Sequence, residues 1–358
     1  MSGSIDDPNE GAASFTKSAQ VRVGITRTGL ITSLGNDSPS TCAAIRCGID
    51  NVRETRFSDS VGEWINAGLV ERHDSKRGGR RLLALAAEAI SECLTCGPLL
   101  NCERVPLILC LPEKNRPGRL IADDDAFFRD LQQLLGVEFS RSSRVLTHGH
   151  VSVATALQHA QRLLAASPDI DHVIVAGADS LISAAALNHF ERQNRLMTSQ
   201  HSDGFIPAEA GAALVIEREG GEEHALYCHG VGFATEPSPI LSGKPMRAEG
   251  LTQAILAALA DAGSTMWHMA YRMTDISGEQ YHFKEAALAL TRSLHQRREE
   301  FDVLHPADCV GETGAASGLI TLAYQRYLYS VDPPSLPLVL AHWGDEDGKR
   351  AAMVLGFQ

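Results

Sequence analysis

The residues best placed to do chemistry lie in the run Arg144 to Leu164, R-V-L-T-H-G-H-V-S-V-A-T-A-L-Q-H-A-Q-R-L-L. Arg144 to Thr147 reads as a short strand and His148-Gly149-His150 as a sharp turn. From Val153 the apolar residues Val153, Ala156, Leu157, Ala160, Leu163 and Leu164 recur at helical spacing. A strand that passes through a tight glycine turn into a buried helix is where α/β proteins display a reactive side chain. The helix N-terminus supplies free N–H groups and the positive end of a dipole there. The side chain displayed here is His150, with His148 two residues before it. Ser152 adds a hydroxyl, poorly placed for a nucleophile.

The thiols are less promising. Cys93 and Cys96 form a C-x-x-C, but inside a helical pattern and with no second pair nearby, so they read as two helix-face thiols. Cys110 ends an apolar run and reads as core. Cys309 falls near the later glycine-rich segment and reads as a small buried hydrophobe rather than a nucleophile. His282 and His305 stand at the starts of expected elements, where capping or solvent contact is the ordinary role.

The bulk composition narrows the function classes. The chain has 358 residues, 44% hydrophobic and 21% charged, enough for one large globular domain or two fused halves. A formal net charge of -12 without a long basic cluster argues against nucleic-acid binding. No apolar run reaches the roughly 20 residues that span a bilayer. The polar, acidic start, M-S-G-S-I-D-D-P-N-E, has no secretory pattern, and eight cysteines without a compact framework suit a reducing compartment. A cytoplasmic location is expected.

The elements that must position the elbow follow from periodicity. Residues 1–19 read as a flexible leader. Val21–Leu34 reads as a strand pair with a glycine bend, and Asn36-Asp37-Ser38 as the cap of a helix through Ile45. Helices are expected over Arg80–Leu94, Asp123–Leu135 and Ala184–Phe190, and strands over Val105–Leu111, His172–Ala178 and Ala212–Glu217. The later part repeats the alternation: strands at Tyr227–Phe233, Met269–Met273, Leu336–Ala341 and Ala351–Gly356, helices at Leu251–Ala262, Phe283–Leu294 and Leu319–Leu328. Such alternation implies an α/β fold with a largely parallel sheet covered on both faces. It also implies two pseudo-symmetric halves, 20–220 and 221–358, meeting near Gly220-Gly221, with any site at the carboxyl ends of strands where they join.

Several segments resemble the β-ketoacyl-acyl-carrier-protein synthases of the thiolase superfamily. D-G-F-I-P-A-E-A-G-A-A-L-V-I-E, Asp203 to Glu217, is similar to the D-G-F-x-x-G-E-G-A-x-x-L-V-L-E of that family, with alanine at 208 and 210 in place of glycine. V-I-V-A-G-A-D-S-L-I-S (Val173 to Ser183), L-N-H-F-E-R-Q-N-R-L-M-T-S (Leu187 to Ser199) and the opening V-R-V-G-I-T-R-T-G-L-I-T-S-L-G-N (Val21 to Asn36) resemble family segments in the same order. G-E-T-G-A-A-S-G, Gly311 to Gly318, is similar to G-H-T-x-A-A-A-G. The resemblance runs from about Val21 to the C-terminus. It implies the thiolase fold, two pseudo-symmetric halves in a layered αβαβα architecture with mostly parallel mixed sheets.

The resemblance also implies a changed site. The family's nucleophilic cysteine falls on His150, and its two histidines fall on Asp275 and Glu312; its lysine falls on about Ala307. An imidazole does not carry a stable acyl thioester, and carboxylates repel a malonyl group and its enolate. The trio could be a mutually satisfied buried polar cluster. With His148 it could be a zinc or iron(II) site. It could also be an acid–base site with His150 as base. No cofactor is implied. The resemblance implies a homodimer, or a heterodimer with a related subunit, as chain-length factors form with active ketosynthases while lacking the cysteine. The expectation is thus a catalytically inactive, ketosynthase-like partner or scaffold of some other protein, for instance in a bacterial type VI secretion-effector assembly. The alternative is an acyl-processing enzyme or metal-assisted hydrolase using the remodelled His150, Asp275 and Glu312. The acidic loop H-W-G-D-E-D-G around Trp343, where ketosynthases have a glycine-rich gate, argues against a malonyl tunnel.

Overall fold

Two successive strand–helix series build the chain, and in the computed structural model they are described over residues 22–218 and 225–357. The expected leader, 1–19, and the junction at Gly220-Gly221 lie outside the described residues. The first series comprises β1 (Val23–Ile31), α1 (Ser38–Arg46), the hairpin β2 (Val52–Ser58) and β3 (Trp64–Gly68), α2 (Gly79–Thr95) and β4 (Leu107–Cys110). It continues with α3 (Asp124–Leu135), β5 (Arg144–Leu146), α4 (Ser152–Ala166), β6 (His172–Ser180), α5 (Ala184–Arg192) and β7 (Glu209–Arg218). The second comprises β8 (Leu226–Thr235), α6 (Glu249–Asp261), β9 (Met269–Thr274), α7 (Gln280–Ser293) and β10 (Val303–Leu304). It ends with the short α8 (Ala307–Val310), α9 (Ser317–Val331), β11 (Leu338–Gly344) and β12 (Lys349–Gly356).

Local signals explain many of the boundaries. The Asp37 side chain accepts the Ser40 N–H at 2.7 Å and starts α1. Asp123 does the same for α3 through Ala126 N–H at 2.9 Å. Along α2, Leu82, Leu85, Ala89, Ile90 and Cys93 fall on one buried face. β6 is apolar along nearly its whole length because both of its faces are covered.

The sheet order is β10-β9-β11-β12-β8-β1-β7-β6-β4-β5. Reading outward from the centre, each half places its strands in the same chain order: first, fifth, fourth, second, third. That repetition is the pseudo-symmetry. The halves touch in the sheet only through β1 and β8, by the pairs Gly24–Tyr227 and Ile25–Leu226. Around that seam the half-sheets fold over a shared helical layer: α4 and α9 pack in one core cluster with inner faces of both halves. α2 and α3 cover the outer face of the first half, and α6 and α7 that of the second. The expected αβαβα layering is therefore present.

Two details differ from the expectations. The sheet is mixed, but its central pairings, from β11/β12 through β7/β6, are all antiparallel, and parallel pairing is confined to β10/β9, β9/β11, β6/β4 and β4/β5 at the flanks. Val21–Leu34 holds one strand, β1, not a pair. Its Gly29 serves close approach instead of a bend: an added Cβ would overlap the Ala89 carbonyl oxygen of α2. Gly232, at the corresponding place on β8, lets α6 approach in the same way, against the Ala254 carbonyl.

Candidate functional site

The elbow is built as the spacing suggests. β5 ends at Leu146, Gly149 takes φ 51°, and a single 3-10 turn, Gly149–Val151, runs into α4. Only glycine fits here, because the turn needs a positive φ and a Cβ would overlap the Glu113 carboxylate. The Ser152 hydroxyl accepts the His148 backbone N–H at 3.0 Å and is fully buried, which makes it a turn brace and removes it as a nucleophile. The second half repeats the device: a 3-10 turn at Gly314–Ala316 leads into α9, beginning at Ser317.

His150, Asp275 and Glu312 converge between these two turns. His150 Nδ1 lies 2.6 Å from Asp275 Oδ2, and Nε2 lies 3.1 Å from Glu312 Oε1. Asp275 follows the carboxyl end of β9 and Glu312 follows α8, so one imidazole of the first half bridges two carboxylates of the second. Glu312 is held further by the Gly314 N–H at 2.8 Å and by the Ser277 hydroxyl, which donates at 2.7 Å. Ser317 Oγ lies 3.3 Å from His150 Nδ1.

The electrostatics decide the protonation state. Burial disfavours a charged imidazole, and the positive end of α4 adds to that cost. The Glu312 charge and the bonds to Asp275 and Glu312 outweigh both, so the His150 pKa is raised well above its usual value. Burial also pushes the Glu312 carboxyl up. The His150 charge and the Ser277 and Gly314 bonds reverse that and hold it at about 2. Near neutrality the site is an imidazolium clamped between two carboxylates. Both ring nitrogens face carboxylate oxygen, Nδ1 in a hydrogen bond with Asp275 and Nε2 in an ion pair with Glu312.

Beyond the trio, Arg116 grips Asp179, at the end of β6, through two bonds of 2.5 Å. Asp179 also accepts the Ala315 N–H at 3.0 Å. Glu113 stands against the elbow, where burial pushes its carboxyl up against the pull of Arg116 and His150. None of these residues carried a signal in the sequence beyond lying near strand ends. All three belong to the first half, and the Ala315 N–H ties Asp179 to the second. A cavity of about 50 Å³ remains between them. That is room for a few waters and not for an acyl chain.

The other candidates fall elsewhere. His148 does not join the trio: burial lowers its pKa, with the Lys349 charge helping and Asp345 opposing. Among the described residues, no group of three or more His, Cys, Asp or Glu is arranged to hold a metal ion. Cys309 is buried, with Sγ toward the Ile45 carbonyl at 3.9 Å, and does not line the cavity. Cys110 is core, its thiol pushed up to about 12 by burial. Cys93 is buried on α2 and Cys96 caps that helix; all eight cysteines are free. His282 does line the cavity, between Glu279 at 3.8 Å and Glu285 at 3.9 Å, and His305 lies 2.8 Å from Asp308. Trp343, expected in a loop, is in β11 and fully buried in the central core, because the strand continues to Gly344. The acidic turn after it, with Asp345 and Glu346, does border the cavity.

These features, an αβαβα fold with an elbow at the junction of its halves, define the thiolase-fold architecture of the ketosynthases. Solved structures agree. A ketosynthase in complex with its chain length factor from Xenorhabdus doucetiae is similar over 94% of this chain and 98% of its own, with a TM-score of 0.73 and 16% identity. The ishigamide ketosynthase/chain length factor matches over 95% of this chain and 100% of its own, at TM-score 0.74 and 17% identity. A beta-ketoacyl synthase from Burkholderia phymatum matches over 94% and 100%, at TM-score 0.72 and 14% identity. At such identities the likeness establishes the fold. No protein-family model matches the sequence, and no curated protein matches it. No helix among the described residues is long and apolar enough to cross a membrane.

Proposed function

We propose that this chain is a non-condensing protein of the ketosynthase fold, which acts through its surfaces as a partner or scaffold. The observation that carries the reading is the clamping of His150. A condensing enzyme needs a nucleophile at this elbow that can attack, hold an acyl group and release it. The residue present is an imidazole held by a hydrogen bond from Nδ1 to Asp275 and by an ion pair from Nε2 to Glu312. In this reading those three stand where the ketosynthase cysteine and histidines would be. The carboxylates around the cavity, Glu113 and Glu346 among them, further disfavour a malonyl anion. The shared fold with ketosynthase/chain length factor pairs supports a homodimer or a related-subunit partner. A scaffold role in another bacterial assembly, such as one delivering secretion effectors, fits the same surfaces. The free cysteines go with a cytoplasmic setting.

The test is direct. Protein incubated with acyl and malonyl thioesters is followed by intact-mass spectrometry and by carbon dioxide release. No acyl increment and no decarboxylation above buffer are expected. An acyl adduct or decarboxylation that disappears in His150→Ala would restore the acyl-processing reading.

A further inference from the structure

Arg272 is a buried cation without a carboxylate. It lies in β9, between β10 and β11, and is 7% exposed. Its guanidinium donates to the Ala286 carbonyl of α7 at 3.1 Å and packs 5.5 Å from the Phe301 ring. Among the described residues it forms no ion pair, and its Nε–H has no partner. Burial therefore acts on it unopposed and pulls its pKa down to about 10. Burial acts on Arg81, Arg116, Arg195 and Arg350 as well, but Glu209, Asp179, Glu279 and Glu285 reverse its effect and raise them. Glu285, beside Ala286 on α7, is committed to Arg350, whose Nε reaches its two oxygens at 2.9 and 3.1 Å.

His342 is a second unpartnered group on the same face. β11 pairs in parallel with β9, His342 opposite Thr274 and Leu340 opposite Arg272, so Arg272, Thr274 and His342 point to one side of the sheet. His342 is 3% exposed. Its Nδ1 lies 3.3 Å from Thr274 Oγ1, and its Nε2 has no partner. Burial, with the Arg272 charge adding to it, lowers its pKa to about 4, so the ring is neutral near pH 7. With Thr274 donating to Nδ1, the ring proton sits on Nε2. Two buried donors, a guanidinium N–H and an imidazole N–H, then share one layer without acceptors, which is costly. A guanidinium has no lone pair to offer a cation. What the two donors fit is an acceptor, and the unbalanced charge of Arg272 makes it an anion.

We propose that Arg272 and His342 bind one small inorganic anion, of the size of chloride or bromide, between β9, β11 and α7. The ion accepts from Arg272 Nε–H and His342 Nε2–H and neutralises the guanidinium that Glu285 leaves unpaired. Thr274, which orients His342, immediately precedes Asp275, so the anion braces the strand end that carries one member of the trio. A large organic anion such as gluconate does not enter a layer covered this fully. Either salt screens surface charge equally at one ionic strength, so the choice of anion isolates the buried site.

The experiment uses the full chain and Arg272→Met, which keeps an unbranched stem and removes the charge. Tm is read by calorimetry at pH 7 while sodium chloride or bromide replaces sodium gluconate at fixed ionic strength. In the parent, each tenfold rise in halide above its Kd should add roughly 2 °C, by mass action against the unfolding entropy of a chain of this length. Arg272→Met should show no such rise. In gluconate alone it should be at least as stable as the parent, because an unpaired buried charge has been removed. Crystals of the parent grown in bromide should show anomalous density within hydrogen-bonding reach of both nitrogens. A parent Tm that stays within about 0.5 °C across the series would overturn the site, as would a rise that Arg272→Met retains or crystals with no bromide at these nitrogens. If Arg272→Met fails to fold, the halide series and the bromide density of the parent still decide.

Discussion

Replacing His150 by alanine removes, among the described residues, the only cation bound directly to Asp275 and Glu312, two carboxylates that are 8% and 6% exposed. Breaking a buried pair from one side costs about 3–5 kcal/mol, because the charge left behind has neither water nor a partner. The depressed acidity of Glu312 gives an independent measure. A shift from an ordinary 4.5 to about 2 corresponds to roughly 3 kcal/mol of differential stabilisation. The two figures describe the same interaction and are not added. For 358 residues the unfolding entropy near the midpoint is on the order of 0.75 kcal/mol/K, so a loss of about 4 kcal/mol lowers Tm by roughly 5 °C. The pH dependence is the sharper signature. The raised His150 pKa gives stability that is complete below about 6.5 and fades as pH rises through the folded value. The depressed Glu312 pKa gives stability that is complete above about 4.5 and fades as pH falls toward about 2. The gap between parent and His150→Ala should therefore be widest between about pH 4.5 and 6.5 and narrow on both sides. Thermal unfolding by calorimetry at pH 3.5, 5.5 and 9 reads it. A gap below about 1 °C at pH 5.5, or one that does not change with pH, would refute the clamped imidazolium.

Three further outcomes follow from the same geometry. Glu312→Gln keeps the shape and an acceptor facing His150 but replaces the ion pair with a bond from the imidazolium to a neutral amide oxygen, while Asp275 still pairs with His150. It should cost only about 1–2 kcal/mol, less than His150→Ala, by the same calorimetry. Gly29→Ala and Gly232→Ala each force a methyl into a helix carbonyl, so each should cost roughly 1–3 kcal/mol or more, seen as a lower denaturant midpoint. Elemental analysis of untagged protein should find no stoichiometric metal, because both His150 nitrogens are committed; one equivalent that disappears in His150→Ala would contradict the site as described.

Periodicity marked most of the main elements with little shift in their ends. The reason is visible in α2 and β6, where burial on one helical face or on both strand faces demands a specific apolar pattern. The β2–β3 hairpin went unmarked because exposed arginine and glutamate interrupt its alternation. Strand direction was equally hidden. A strand covered on both faces has the same composition whether its neighbour runs parallel or antiparallel, so the antiparallel centre of the sheet could not be read from β7 or β12.

At the site the division is plainer. The elbow needs only neighbouring residues: a glycine at positive φ, a following helix, and His150 between them, all within a few positions. Local steric rules act over that range, so the sequence by itself determined what is displayed and where. What the display does depends on charge at a distance. Asp275 and Glu312 lie 125 and 162 positions further along the chain, and Arg195 meets Glu279 and Glu346 across 84 and 151. Coulombic fields and desolvation depend on separation in space, and only the folding of one half against the other brings those groups within bonding distance. The tertiary structure alone decided that the imidazole is a clamped cation.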